Sequence, residues 1–186
     1  RYYDLVMAAF VTILLLSNII GASKPSYIAL PDGSQWAFGA GVLFFPIGYI
    51  IGDVLTEVYG YARARRVIWT GFAALLFMAF MAWVVVSLPP ADGWPGQESY
   101  EFVFGNSWRI VAASMTAFWA GEFANSYVMA RMKIWSNGKH LWARTIGSTV
   151  VGQGLDSLLF YPLAFYGIAG WPPEQLWQVI VSQWLI

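Results

Sequence analysis

Cysteine is absent from the 186 residues, which removes disulfides, Cys-ligated metals and thiol nucleophiles and leaves the redox compartment unspecified. Histidine occurs once, at His140 in a basic stretch, too few for a ligand set, so no metal site is expected. Charge is scarce: 11% of residues are Asp, Glu, Lys or Arg, against about 25% in soluble domains. No Walker-type phosphate loop, HExxH or GxSxG run occurs, and the acids show no nucleophile–base set, so ATP hydrolysis or other enzymatic chemistry is not expected. The net charge of zero gives no reason to expect a nucleic-acid partner.

What is abundant is apolar surface. Hydrophobic residues make up 59% of the chain and aromatics 18%, and the charges fall between long apolar stretches rather than alternating with them at helical spacing. Apolar runs of about 20 residues, the length that crosses a bilayer, predict six transmembrane helices over residues 2–20, 36–59, 67–88, 108–130, 142–168 and from 174 onward. The expected fold is an all-α membrane protein forming a single integral membrane domain over 1–186. The chain opens at Arg1 without Met and stops inside an apolar run, so residues are expected to be missing at both ends. No small-residue cleavage site follows the first segment, which argues against a signal peptide. Tryptophans such as Trp36, Trp94, Trp142 and Trp171 fall near segment ends, where interfacial belts place them.

Lys and Arg beside membrane helices are retained on the cytoplasmic side. The second connection holds Arg63, Arg65 and Arg66, and the fourth holds Arg131, Lys133, Lys139 and Arg144, whereas the first, third and fifth hold only Lys24 and Arg109. Connections two and four are therefore predicted inside, which with six spans puts both termini inside. The third, 89–107, is expected to be an external solvated loop.

Three spans before that loop and three after it predict a 3+3 inverted repeat, with half-repeats of about 1–90 and 105–186, because an odd number of spans per half reverses its orientation. The second helix of each half carries an aspartate among Gly and Pro: Gly39, Gly41, Pro46, Gly48, Gly52 and Asp53 in one, Gly147, Gly152, Gly154, Asp156 and Pro162 in the other. Interrupted helices with polar groups are where transporters form midplane sites.

A carboxylate in lipid costs several kcal/mol without a partner or water, so each needs a reason. Glu122 lies nine residues from Arg131 and thirteen from Arg109, and Asp156 lies twelve from Arg144; at about 1.5 Å per residue both fall near mid-bilayer. The competing reading is a hydrogen-bonded helix contact. Asp53 and Glu57 share a helix face nearer the cytoplasmic end and suit gating or structural ion pairs with Arg66 or its neighbours. Asn18, Asn125 and Gln153 offer amides that serve equally as interhelical contacts, and internal aromatics are more often packing than ligand platforms.

Helix two reads Phe45-Pro46, then Gly52-Asp53-Val54-Leu55-Thr56-Glu57-Val58-Tyr59-Gly60, then Ala64-Arg65-Arg66; Ser17-Asn18 closes helix one, and Gly152-Gln153-Gly154-Leu155-Asp156-Ser157 with Phe160 lies in helix five. This pattern resembles the queuosine precursor transporter family, also described as a vitamin uptake transporter family, across essentially the whole chain. The resemblance implies uptake of 7-cyano- or 7-aminomethyl-7-deazaguanine, or a related base, across the bacterial cytoplasmic (inner) membrane by a secondary transporter or facilitator that needs no cofactor. A guanine-like edge presents two parallel N–H donors that a carboxylate accepts. On that reading Glu122 or Asp156 takes the donor edge, Asn18, Asn125 and Gln153 are amide partners, and Phe45 or Tyr49 stack on the base. The alternative is a membrane-embedded vitamin-binding subunit that needs a separate energising module. Ion coupling and oligomeric state, a homodimer included, stay open.

The orientation is checked by single cysteines in this cysteine-free background. In intact cells a membrane-impermeant maleimide is expected to label Ser99→Cys, and to label Ser136→Cys only after permeabilisation; the reverse pattern rejects the assignment.

Overall fold

A computed structural model describes residues 2–22, 24–29, 31, 33–136, 139, 141–168 and 171–185, with the side chains of Phe45, Pro46, Tyr49, Asp53, Thr56, Glu57, Tyr61, Ser126 and Leu141 outside the described set. Its helices are α1 (Tyr3–Leu16), α2 (Phe45–Tyr59), α3 (Tyr61–Val86), α4 (Gln97–Phe104), α5 (Ser107–Trp135), α6 (Leu141–Phe165) and α7 (Pro173–Leu185); a π-helical turn (Ser17–Gly21) extends α1, and a 3-10 turn (Ala40–Leu43) precedes α2. Two strands, β1 (Pro25–Ala29) and β2 (Gln35–Gly39), pair as a small sheet. The chain divides into two compact units, one comprising Arg1–Ser26 and Gly39–Val111 and the other Tyr27–Phe38 and Ala112–Ile186.

Among the described residues, the stretches Tyr3–Gly21 and Ala62–Val86 are long and apolar enough to cross a membrane, with mean hydropathies of 2.0 and 2.1. The 29 residues of α5 and the 25 of α6 reach about 44 and 38 Å at the helical rise, beyond the ~30 Å hydrocarbon core, though their polar content is higher.

In the first unit α1, α2 and α3 pack on one another around Leu55, Ala64 and Val67, with Val6, Met7, Phe10 and Ile51 against them. Gly60, at φ 84°, supplies the left-handed backbone that separates α2 from α3. The Tyr3 hydroxyl donates to the Arg63 carbonyl at 3.2 Å, and the Arg63 guanidinium lies 5.9 Å from the Tyr3 ring centre, tying the start of α1 to the first turn of α3. The π-turn brings Gly21 against the 3-10 turn: a Cβ on Gly21 would stand 2.7 Å from Gly41 Cα.

The second unit is built on α6 and α7, which pack together. Phe165 stacks on Trp171 with ring centres 4.2 Å apart, and the buried Tyr161 donates its hydroxyl to Gln183 Oε1 at 2.9 Å. The sheet docks on α7: Ala37 N–H donates to Gln178 Oε1 at 3.2 Å, Ser182 Oγ lies 2.9 Å from the Ala37 carbonyl, and Trp36 Nε1 donates to Ser182 Oγ. Tyr27 and Gln175 are joined by a further side-chain hydrogen bond.

These elements correct the sequence expectation in several places. The fold is mostly helical rather than all-α, because Pro25–Ala29 and Gln35–Gly39 pair as strands where a plain connection and the start of a helix were expected. The 36–59 run contains only 15 residues of α-helix; its first residues extend as β2 because their backbone and side-chain groups find partners on α7. The 89–107 loop carries α4, whose Gln97 Nε2 reaches the Val86 carbonyl at 3.3 Å. Arg63, Arg65 and Arg66 lie on α3, Arg131 and Lys133 on α5 and Arg144 on α6, not in connections. In the segment expected at 142–168, Leu141–Phe165 is one continuous helix with Pro162 inside it; only one N–H is lost near its end, and the Pro162 carbonyl still accepts from Tyr166 N–H at 3.1 Å. Trp171 is buried, at 6% exposure, rather than interfacial. His140 lies outside the described residues.

Gly21→Ala would drive its methyl into the Gly41 backbone, which cannot swing aside as a side chain can, so a loss of about 1–3 kcal/mol is expected. Gly52→Ala, where a Cβ meets nothing within 4 Å, is the neutral or stabilising control. Thermal unfolding of the purified protein in detergent compares the two.

Candidate functional site

In the second unit α5 and α6 approach at two glycines. A Cβ on Gly121 would stand 2.9 Å from the Gly152 carbonyl oxygen and 3.1 Å from Asp156 Cβ; one on Gly152 would stand 2.9 Å from both the Gly121 oxygen and Asn125 Cβ. The contacts are reciprocal: Gly121 lies across from Asp156, and Asn125 across from Gly152, as antiparallel helices in register require. Each polar residue sits four positions after its own helix's glycine, on the same face. The glycines thus bring two helix backbones together and place an amide and a carboxylate on either side of the crossing, about one turn apart.

Asn125 Oδ1 is buried and accepts no hydrogen bond. A buried carbonyl without a donor forfeits about 1–3 kcal/mol, and no donor to this oxygen occurs among the described residues. Among the described residues no ion pair engages Asp156, which is half-buried. At 100° per residue, Gln153, Asp156, Ser157 and Phe160 fall within an arc of about 100° on α6. Val151 and Leu158 project from the opposite side and are 45% and 47% exposed, while Gly154 abuts the Trp184 ring on α7. The segment from Gly152 to Ser157 is therefore a polar stripe between the faces that meet α5 and α7.

The other expected residues are placed as follows. Gln153 is half-buried on that stripe, and Glu122 is exposed, one position round α5 from the glycine that faces α6. In the first unit Asn18 is buried in the π-turn, where its Nδ2 donates to the Leu14 carbonyl at 2.9 Å, and Arg66 is exposed on α3. Phe45, Tyr49, Asp53 and Glu57 occupy α2 by backbone, but their side chains lie outside the described residues. The first unit also has an open apolar hollow of about 240 Å³ lined by Met78, Met81, Val85, Tyr100 and Phe104 among others; it has too few polar groups to orient a base. Sequence reasoning missed Gln183, Gln178 and Ser182, which sit in an apolar terminal run with no motif to mark them. It also missed the pairing of Gly121 with Gly152, because a glycine in a membrane helix does not announce its partner.

No group of three or more His, Cys, Asp or Glu residues that could hold a metal occurs among the described residues.

Residues 39–186 match the family described as "Putative vitamin uptake transporter". The chain belongs to that family. With two helices of membrane-crossing length and apolarity, this member is a membrane protein. It is 34% identical over 148 residues to the "Probable queuosine precursor transporter" of Bacillus subtilis (strain 168), an alignment covering 78% of this chain and 61% of that relative. It is 26% identical over 126 residues to the "Queuosine precursor transporter" of Escherichia coli (strain K12), covering 68% of this chain and 54% of the other. A Haemophilus influenzae relative, also named a "Probable queuosine precursor transporter", is 26% identical over 141 residues, 74% of this chain and 57% of its own length. The chain thus spans little more than half the length of these relatives. No solved structure gives a significant match.

Gly152→Ala is expected to force α5 and α6 apart, since both atoms it would meet belong to or adjoin backbone. A loss of about 1–3 kcal/mol in unfolding free energy follows; an unchanged denaturation midpoint rejects the close crossing.

Proposed function

We propose that this member of the vitamin uptake transporter family imports a queuosine precursor, 7-cyano-7-deazaguanine, 7-aminomethyl-7-deazaguanine or a related base. The observation that carries the reading is its 34% identity over 148 residues to a protein bearing the queuosine precursor transporter name. The α5–α6 crossing supports it chemically. A deazaguanine edge carries adjacent N–H donors, and the crossing offers a buried unpaired acceptor, Asn125 Oδ1, and a carboxylate, Asp156, one turn away. Phe160, on the same arc of α6, is buried and edges the stripe with an aromatic face.

In this reading the protein is a secondary transporter or facilitator of the bacterial inner membrane, working by alternating access with six spans arranged as a 3+3 inverted repeat and both termini inside. It is not an enzyme. Asp156 and Asn125 bind the base, with Gln153 and Asn18 as further amide contacts and Glu122 as the second carboxylate candidate. Phe45 or Tyr49 stack, and Asp53, Glu57 and Arg66 serve gating. Polar groups held at a close helix contact suit brief binding: they recognise the base by direction, while the small contact area keeps release fast.

The test is uptake of radiolabelled 7-deazaguanine bases by a bacterial strain that cannot make them. Expression of this protein is expected to raise uptake well above an empty-vector control, and Asp156→Asn or Asn125→Leu to lower it about tenfold or more, the loss of a buried charge-assisted or neutral hydrogen bond. No uptake above the control rejects the substrate. Uptake in cells that disappears with the pure protein in liposomes instead favours the vitamin-binding subunit with a separate energising module.

A further inference from the structure

Arg144 lies in the first turn of α6, is only 8% exposed, and has a buried Nε that donates to no acceptor. A buried guanidinium without a counter-charge is expensive, because it gives up hydration with nothing in exchange. Among its described residues the second unit offers no such counter-charge nearby. Residues 123–155 contain no acid at all, while holding Arg131, Lys133, Lys139 and Arg144. The described acids of the unit are Glu122, Asp156 and Glu174. Asp156 lies twelve residues along the same helix, about 18 Å away. Glu122 adjoins Gly121, whose partner is Asp156, so it sits at the same remote level. Glu174 opens α7, beyond Trp171, which stacks on Phe165 at the far end of α6.

The position adds two further attractions for an anion. The first-turn N–H groups of α6 have no helical acceptor, and the positive end of the helix dipole is there. Lys133 at the end of α5 and Lys139 in the turn before α6 are exposed, so they raise the local potential without closing the site. A guanidinium presents Nε and one Nη side by side, a pair of parallel donors matched to two oxygens of one tetrahedral oxyanion.

We infer that Arg144 and the N-terminus of α6 form a binding site for a phosphate group, separate from the stripe that carries Asn125 and Asp156. The same chemistry is available from the phosphate of an anionic lipid headgroup and from free phosphate. A lipid would anchor this corner of the unit to the membrane surface.

The inference is tested on the full chain purified in phosphate-free, non-ionic detergent, by following thermal unfolding against added phosphatidylglycerol, diacylglycerol or inorganic phosphate. A phosphate-bearing ligand is expected to raise the unfolding midpoint in a saturable way, with diacylglycerol inert. A rise with phosphatidylglycerol alone identifies a headgroup site, and a rise with inorganic phosphate as well identifies a free-anion site. Arg144→Gln is expected to abolish the response and Lys139→Gln to keep it. Should Arg144→Gln fail to fold, Arg144→Lys keeps the charge but loses the paired donors, and its apparent Kd should be weaker by about tenfold or more. No shift with either phosphate ligand, or equal affinity in Arg144→Lys, overturns the site and leaves the guanidinium to be balanced from within the chain.

Discussion

Backbone-to-backbone approach at glycine is the contact on which both units depend. In an apolar surround, burying one more leucine gains little, because lipid tails solvate it as well as a neighbouring helix does; close van der Waals contact and polar pairs must hold helices together. Gly21 meets Gly41 where the π-turn and the 3-10 turn touch, and Gly121 meets Gly152 where α5 and α6 cross. At both places the missing Cβ lets main-chain atoms come as near as side chains normally would. The second contact also has a chemical outcome: residues four positions beyond each glycine are drawn into the same crossing, and those residues are Asn125 and Asp156.

Much of the helical framework is legible in the sequence because α1 and α3 are long uninterrupted apolar runs, and length with hydropathy is a robust signal. The hairpin is not legible. Trp36, Phe38, Val42 and Phe44 are as apolar as any helix former, and what makes residues 35–39 extend is the pair of Gln178 and Ser182 partners on α7, far away in sequence. Periodicity cannot report a partner more than 140 residues distant. Pro162 misled in the opposite direction: a proline near a helix end removes one hydrogen bond and leaves the helix intact. Trp171 read as an interfacial residue because tryptophan at a segment end usually is, whereas its ring stacks under Phe165.

At the candidate site, the stripe from Gly152 to Ser157 stood out in sequence as polar residues crowded among glycines, and its helical arc follows from the 100° step alone. What sequence could not supply was the face opposite. Asn125 gained its significance only from the crossing, where its oxygen is buried without a donor. Arg144 looked like one more cytoplasmic cation by the positive-inside rule; burial distinguishes it from Lys139, which has the same charge and a solvated side chain. The family name came from motif resemblance and from alignment to relatives. Nothing in the physics of the stripe would have chosen a deazapurine over another base with paired N–H groups.

The docking of the hairpin on α7 has a consequence for how the protein is made. Trp36 and Ser182 are separated by 146 residues, so at ~5–20 residues per second the ribosome needs roughly 7–30 s after completing β2 before its partner exists. Through that interval the strand's Ala37 N–H and the Trp36 indole have no α7 to meet, and the second unit cannot be finished before nearly all of α7 has been synthesised. Such a long-range closure comes late in folding. Until then the two strands wait without their α7 partners, and mutations in α7 would be felt first as slow or failed assembly.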